Sequence, residues 1–394
     1  MKEIFSIIPY GPRKKLIKFF KPSEAKIYFY NYCIDLIREE RSTETVFDYI
    51  KKLDDISISE AAEEYEIHHL FYELSDILLF QKAEIDPDIP LAIEIKYIKK
   101  CDFDSSISST PQSVKAYSSP CEGDYKELFY AGREELIKGN SYQFNLTQQF
   151  KFDVRNFCLS DWVNAFVKLG KNRGQFAHLT VIPSLNKVIF SNSPEGLFQL
   201  RPNKIGFECI TTPIKGTVKR DKKLSIDCQW NSLIEDPKNQ AELFMIIDLL
   251  RNDLSAIESP TAKVIKRKAM VKVPGIIHQM GIIKVRLTNN VKLGRIIRSL
   301  FPGGSITGAP KKNTYRILKR LESNPRGLYT GSTMLRMGRS VDCSINIRTA
   351  EIDTELNEMS YGSGGGITLL SDYKEEYLEM HSKVNSFIGA VFKS

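Results

Sequence analysis

The chain has 394 residues, 42% of them hydrophobic and 26% charged, with a formal net charge of +8. That length buries a large core, and the composition is that of an ordinary globular protein, not of a disordered or fibrous one. Its positive charge is spread out: the runs at Arg13-Lys14-Lys15 and Lys266-Arg267-Lys268 are too short for the dense basic block of a nucleic-acid binder.

Residues 61–82 carry Tyr65, Ile67, Leu70, Phe71, Leu74, Ile77, Leu78 and Leu79 near a 3.6-residue period, which predicts a helix. A strand is predicted over 91–98, after Pro90. Residues 105–120 are rich in Ser, Thr and Pro and read as a linker. The main boundary is placed there, with a variable N-terminal region (1–120) packed on a core (121–394). Helices are then predicted over 125–137, 240–250, 291–300, 311–321 and 373–388. Strands are predicted over 141–152, 176–181, 187–190, 206–211, 334–337, 343–352 and 358–362. Hairpins and meanders outnumber βαβ units, so the predicted class is α+β, with large antiparallel sheets covered by helices.

The seven cysteines form no Cys-x-x-Cys pair and are irregularly spaced. This argues against a zinc site and against a disulfide framework, and suits a reducing cytoplasm. No apolar run approaches the roughly 20 residues that span a bilayer. The basic cluster that follows the first apolar stretch is in the wrong order for a signal peptide. The expectation is a cytoplasmic enzyme with no membrane or nucleic-acid partner.

The densest chemistry lies between Ser191 and Thr217. Glu195 follows Pro194, and Lys215 sits in Thr-Thr-Pro-Ile-Lys-Gly-Thr. A carboxylate and a lysine at such turns suit an acid-plus-nucleophile site, and equally suit solvated turns. The Gly-rich run 301–311, which includes Thr307, precedes a helix and suits an anion, but lacks the Gly-Lys-Ser/Thr order of a P-loop. A second Gly-rich stretch, 362–366, reads as a turn with amides for a carboxylate. Glu376, Glu379 and Lys383 share one face of the terminal helix, either as a solvated salt-bridging face or as part of a magnesium site. Glu242, on an otherwise apolar helix, is the natural opposing ligand. Arg348, in a predicted strand, is either a carboxylate clamp or an exposed arginine. Tyr329 reads as a packed aromatic and His278 as a core histidine.

Together these motifs resemble those of the chorismate-utilising enzymes, which include anthranilate, aminodeoxychorismate, isochorismate and salicylate synthases. The resemblance runs from about residue 125 to 392. It rests on Ser-x-Ser-Pro-Glu, Pro-Ile-Lys-Gly-Thr, Asp-Leu-x-Arg-Asn-Asp-Leu, the Gly-rich run to Lys311, Ile-x-Ile-Arg-Thr, and Gly-Gly-Gly-Ile followed by Glu-Tyr-x-Glu-x-x-x-Lys. It implies antiparallel sheets packed face to face with helices outside. It implies Mg2+ on Glu242 and Glu379, with Glu376 as an accessory, holding the ring carboxylate of chorismate. Arg348, Tyr329 and Lys383, with the amides of Gly364, Gly365 and Gly366, are implied to hold the enolpyruvyl carboxylate, and Thr307 also to meet the substrate. Glu195 is the implied general acid for the C4 hydroxyl, with His278 close by.

Two positions divide the family. Gln143 stands where water-using members carry a lysine, and a neutral amide is no base. Lys215 stands where aminodeoxychorismate synthases carry a lysine and anthranilate synthases usually an alanine. The resemblance therefore implies an aminodeoxychorismate synthase component I on the route to 4-aminobenzoate and folate. There Lys215 attacks C2 of the ring as a neutral amine. The chain has no glutaminase nucleophile turn, so a separate glutamine amidotransferase subunit is the expected ammonia source. Ser255, where glycine is common, and the missing Leu-Leu-Glu-Ser signature are departures from the family. The alternatives are an anthranilate synthase large subunit and a non-catalytic relative.

Overall fold

The computed structural model describes residues 3–392 except 12–13, 82–84, 105–113, 115, 222, 259–260 and 274–275. The first third holds β1 (Phe5–Tyr10), β2 (Lys15–Tyr28), β3 (Cys33–Asp35), β4 (Glu40–Ser42), α1 (Val46–Asp55), β5 (Ala62–Leu70), α2 (Leu74–Phe80) and β6 (Ala92–Asp102). Next come β7 (Ala116–Ser118), α3 (Glu122–Ile137), β8 (Gln143–Asp153), α4 (Leu159–Lys168), β9 (His178–Ile182), β10 (Lys187–Ser191), β11 (Gly196–Asn203), β12 (Gly206–Thr211) and β13 (Ile214–Lys219). Then follow α5 (Ile226–Glu235), α6 (Pro237–Ser255), β14 (Lys263–Val273), β15 (Ile276–Leu287), α7 (Leu293–Leu300), α8 (Gly304–Thr307), β16 (Gly308–Ala309) and α9 (Lys311–Leu321). The chain closes with β17 (Ser332–Gly338), β18 (Ser340–Ser344), β19 (Thr349–Asp353), β20 (Glu358–Ile367) and α10 (Tyr373–Val391).

The strand pairs are antiparallel. They run in the series β8–β20–β19–β10–β9–β1–β2 and on through β6–β5–β17–β18–β11–β12–β15. β13 and β14 also pair with β15. β2 belongs to both halves of the series. Its pairing with β6 slips between Pro22 and Glu24, next to Lys21 at φ 56°, and such a bulge bends a strand. The two halves then pack face to face over a shared core that includes Phe19, Ile27, Ile67, Ile95, Ile189 and Leu335. On β10 the period of two sends Ile189 into this core. Val188 and Phe190 face the other way, toward Trp162 and Phe166 of α4 and Phe387 of α10. The opposite outer face is covered by α1, α6 and α7. This is the expected α+β sandwich with helices outside. Among the described residues no helix is long and apolar enough to cross a membrane.

Residues 61–82 are not one helix. They form β5 and then the short α2. β5 is paired on both edges, by β6 and β17, and over Glu66–Leu70 both its faces are covered. Ile67 enters the sandwich core, while Glu66 is buried against Arg336 at 2.9 Å. A strand buried on both faces loses the apolar–polar alternation, so its hydrophobic spacing imitated a helix. The predicted strand 343–352 is broken into β18 and β19 by residues 345–348. The β14–β15 hairpin, on which His278 stands, was not among the predicted strands. Strands β1, β2, β5 and β6 of the first third lie within the same series as the rest. The predicted linker at 105–120 falls largely outside the described residues.

Ile189 has no exposed surface. Replacing it with alanine should cost roughly 2–5 kcal/mol through lost burial and a residual cavity. Leu356, 72% exposed, should tolerate alanine within about 0.5 kcal/mol. Urea unfolding of the two variants checks the contrast.

Candidate active site

Two turns meet at the floor of a cavity of about 410 Å³. The first, 192–195, links β10 to β11 and carries Glu195. The second, 345–348, links β18 to β19 and carries Arg348. They are laced together by backbone: Asn192 N–H donates to the Arg348 carbonyl (2.9 Å) and Ile345 N–H to the Glu195 carbonyl (3.0 Å). The hydroxyls of Ser191 and Thr349 bond across the adjoining strands at 2.8 Å. Arg348 is therefore a turn residue at φ 50° and not the strand residue expected. Its left-handed backbone is held by this lacing.

Glu195 is buried, 6% exposed. Burial pushes its carboxyl up to about 7, against the opposing influence of the nearby Lys215 charge, the Ser305 hydroxyl and the Ile214 amide. Lys215 lies on β13, where the pairing with β15 slips between Ile214 and Thr217. Gly216 takes φ 80° at this bulge, where a Cβ would come within 3.2 Å of Asn239 and Leu233. The bulge re-aims the strand beside Glu195. Two residues on, the Thr217 hydroxyl bonds His278 Nδ1 across the ladder at 2.8 Å. Burial, and then the Arg348 charge, lower the pKa of His278, which keeps the imidazole neutral.

The stretch 362–366 is the second half of β20 and not a turn. Two of its glycines permit close approaches. A Cβ on Gly362 would lie 2.1 Å from the Tyr329 ring, and one on Gly365 2.8 Å from Glu376 Oε2. Lys383 of α10 donates to the Gly364 carbonyl at 2.8 Å and pairs with Glu379 at 2.9 Å. Glu376, on the same helix, accepts from the Ser371 hydroxyl at 2.8 Å. Glu242 reaches the cavity from α6, which starts at an Asp236 cap that accepts from Asn239 N–H.

The cavity thus gathers Glu195, Lys215, Glu242, His278, Tyr329, Arg348, Gly364, Gly365, Gly366, Glu376, Glu379 and Lys383. Thr307 is not on its wall. It is fully buried, with its hydroxyl accepting from Tyr72 at 3.5 Å, and Ser305 and Ile306 line the cavity instead. Sequence reasoning also missed Asn145, Thr147, Thr217 and Thr330. They are ordinary polar residues whose place follows only from strand register.

The three carboxylates from α6 and α10 are hard oxygen donors suited to Mg2+. Among the described residues no three acidic, imidazole or thiol side chains converge to enclose a metal. An ion here would complete its shell with substrate oxygens and water, which is Mg2+'s usual habit.

Residues 91–389 match the family model of the chorismate binding enzymes. The chain is 36% identical over 286 residues to a probable chloroplastic aminodeoxychorismate synthase of Oryza sativa subsp. japonica, an alignment covering 71% of this chain and 31% of that protein. It is 34% identical over 274 residues to aminodeoxychorismate synthase component 1 of Escherichia coli (strain K12), covering 68% and 58%. The match therefore spans from somewhat under a third to somewhat over half of these relatives' lengths. Among solved structures, anthranilate synthase component I of Streptococcus pneumoniae superposes with a TM-score of 0.73 at 18% identity, covering 98% of this chain and 92% of that one. A putative isochorismate synthase of Bacillus anthracis gives 0.71 at 15% identity, covering 99% and 96%. At such identities the likeness is one of fold.

Glu195 also ties stability to pH. Its folded pKa of about 7 lies above the ordinary 4.5. The folded chain therefore holds a proton that the unfolded chain has released between those values, and stability falls as pH rises through that window. Relative to wild type, Glu195→Gln should gain up to roughly 3 kcal/mol between pH 4 and pH 8 and then level off. Urea melts of both proteins at pH 4, 6 and 8 measure this, and a difference that does not vary with pH would remove the shift.

Proposed function

The chain belongs to the chorismate binding enzyme family, and within it we propose that it aminates chorismate at C4, as an aminodeoxychorismate synthase component 1. The observation that carries this reading is Lys215 beside a buried, proton-holding Glu195 in one cavity with Arg348.

In this reading Arg348, Tyr329 and Lys383 hold the enolpyruvyl carboxylate in a water-poor cleft. Glu242, Glu376 and Glu379 would hold Mg2+, which neutralises the ring carboxylate when bound. Lys215 Nζ attacks C2. The ring double bonds shift, the C4–O bond breaks, and Glu195 gives its proton to the departing hydroxyl, which leaves as water. The neutral His278 lies beside that oxygen. Ammonia then adds at C4, the double bonds shift back, and Lys215 is released from C2. Gln143, buried and neutral, offers no base to activate water in ammonia's place.

Ammonia comes from a separate glutamine amidotransferase subunit, a reading supported by the designation "component 1" carried by the bacterial relatives. The seven cysteines are all free, in keeping with the cytoplasmic location proposed with it.

The test supplies chorismate, Mg2+ and ammonium to the purified chain. The expected product becomes 4-aminobenzoate only when an aminodeoxychorismate lyase is added, and chelation by EDTA stops its formation. Lys215→Ala should lower turnover more than roughly 100-fold with the fold intact by circular dichroism, and Glu195→Gln by roughly 10²–10⁴. Undiminished turnover in the lysine variant removes its role. Fluorescent anthranilate formed without the lyase replaces the reading.

A further inference from the structure

Arg326 lies behind the cavity, just after α9, and is 4% exposed. Glu322 grips its guanidinium through two bonds, Nε–Oε2 at 2.7 Å and Nη2–Oε1 at 2.8 Å. The remaining donors all go to residues on the cavity wall. Nη2 donates to the Asn145 carbonyl (2.7 Å), and Nη1 to the Ile306 carbonyl (3.1 Å) and the Thr330 hydroxyl (3.3 Å). Glu322 Oε1 also accepts from both the amide and the hydroxyl of Thr147, at 2.9 Å each. The pair is thus wired to β8, to the α8 segment and to the Tyr329–Thr330 turn. Thr330 N–H in turn donates to the Asn346 carbonyl (2.9 Å), two residues before Arg348.

A buried ion pair is a poor source of stability, because its desolvation cost offsets its attraction. What this one supplies is geometry: a planar, forked cation fixes directions that a lysine or an apolar group cannot. We propose that Arg326, locked by Glu322, is a positioning residue for the substrate, setting the Tyr329–Thr330 turn and the Asn145–Thr147 edge against which the enolpyruvyl carboxylate docks. The brace extends into the first third of the chain. Glu73 Oε1 accepts from Arg326 N–H at 2.7 Å, and the Tyr72 ring lies 4.4 Å from the guanidinium.

This inference rests on chorismate being the substrate, so wild-type turnover of chorismate is measured first. Its absence would sink that reading and this inference with it, whereas normal wild-type turnover with unaffected variants sinks this inference alone. Thr330→Val removes only the hydroxyl that Arg326 reaches, and Glu322→Gln keeps the size of the side chain but breaks the fork. Each should raise KM and the directly measured Kd for chorismate roughly 10-fold, with kcat changing far less. The double variant should fall short of the product of the two effects, because both act through one guanidinium. Unchanged KM and Kd in both variants, with only the melting temperature lowered, would overturn the proposal and leave the pair a scaffold element.

Discussion

The lacing of the 192–195 turn to the 345–348 turn is the constraint on which the site depends. Each turn carries the chain from one half of the strand series to the other, and neither can shift without breaking backbone bonds to its partner turn. That mutual hold places a buried acid and a guanidinium at one cavity floor. It also maintains Arg348 in a left-handed backbone that costs on the order of 1–3 kcal/mol. The bulge in β13 does the same for Lys215 from the opposite wall.

Electrostatics follows from this burial. Glu195 holds its proton to about pH 7 and His278 resists taking one. Both are neutral at pH values where exposed groups of their kind would be charged differently or ready to switch. The cavity also brings Arg348 and Lys383 together with Glu242, Glu376 and Glu379, and Lys215 lies near Glu195. Within that group Lys383 pairs with Glu379, and the Ser371 hydroxyl donates to Glu376.

The parts of this site legible in the sequence were those where chemistry demands a residue type. Glu195, Lys215, Glu242, Arg348 and Glu379 have side chains that few other residues could replace, and they sit in punctuated motifs. Parts that depend on register were not legible. Thr217 meets His278 only because β13 and β15 pair as they do, and nothing in a threonine announces it. Thr307 was misplaced because a Gly-rich run signals close backbone approach without saying which residue faces the cavity. β5 failed for a different reason: its two covered faces erase the alternation that identifies a strand. Residues 362–366, four of them glycine, read as a turn because glycine usually punctuates. Here the glycines keep a strand bare so that Tyr329 and Glu376 can come close.

The family match begins at residue 91, yet the fold likeness extends over 98% of the chain. The difference has a physical cause. Strands β1, β2 and β5 put residues such as Ile8, Phe19 and Ile67 into the shared core, and none of their residues lines the cavity. Structures 14–18% identical to this chain share its sandwich, and one fold can carry different reactions. The first third is nevertheless not detached from the chemistry. Tyr72 N–H donates to the Gly327 carbonyl at 2.9 Å, and Glu73 holds the Arg326 amide. The first third thus reaches, through Tyr72 and Glu73, the residue whose guanidinium bonds three segments of the cavity wall.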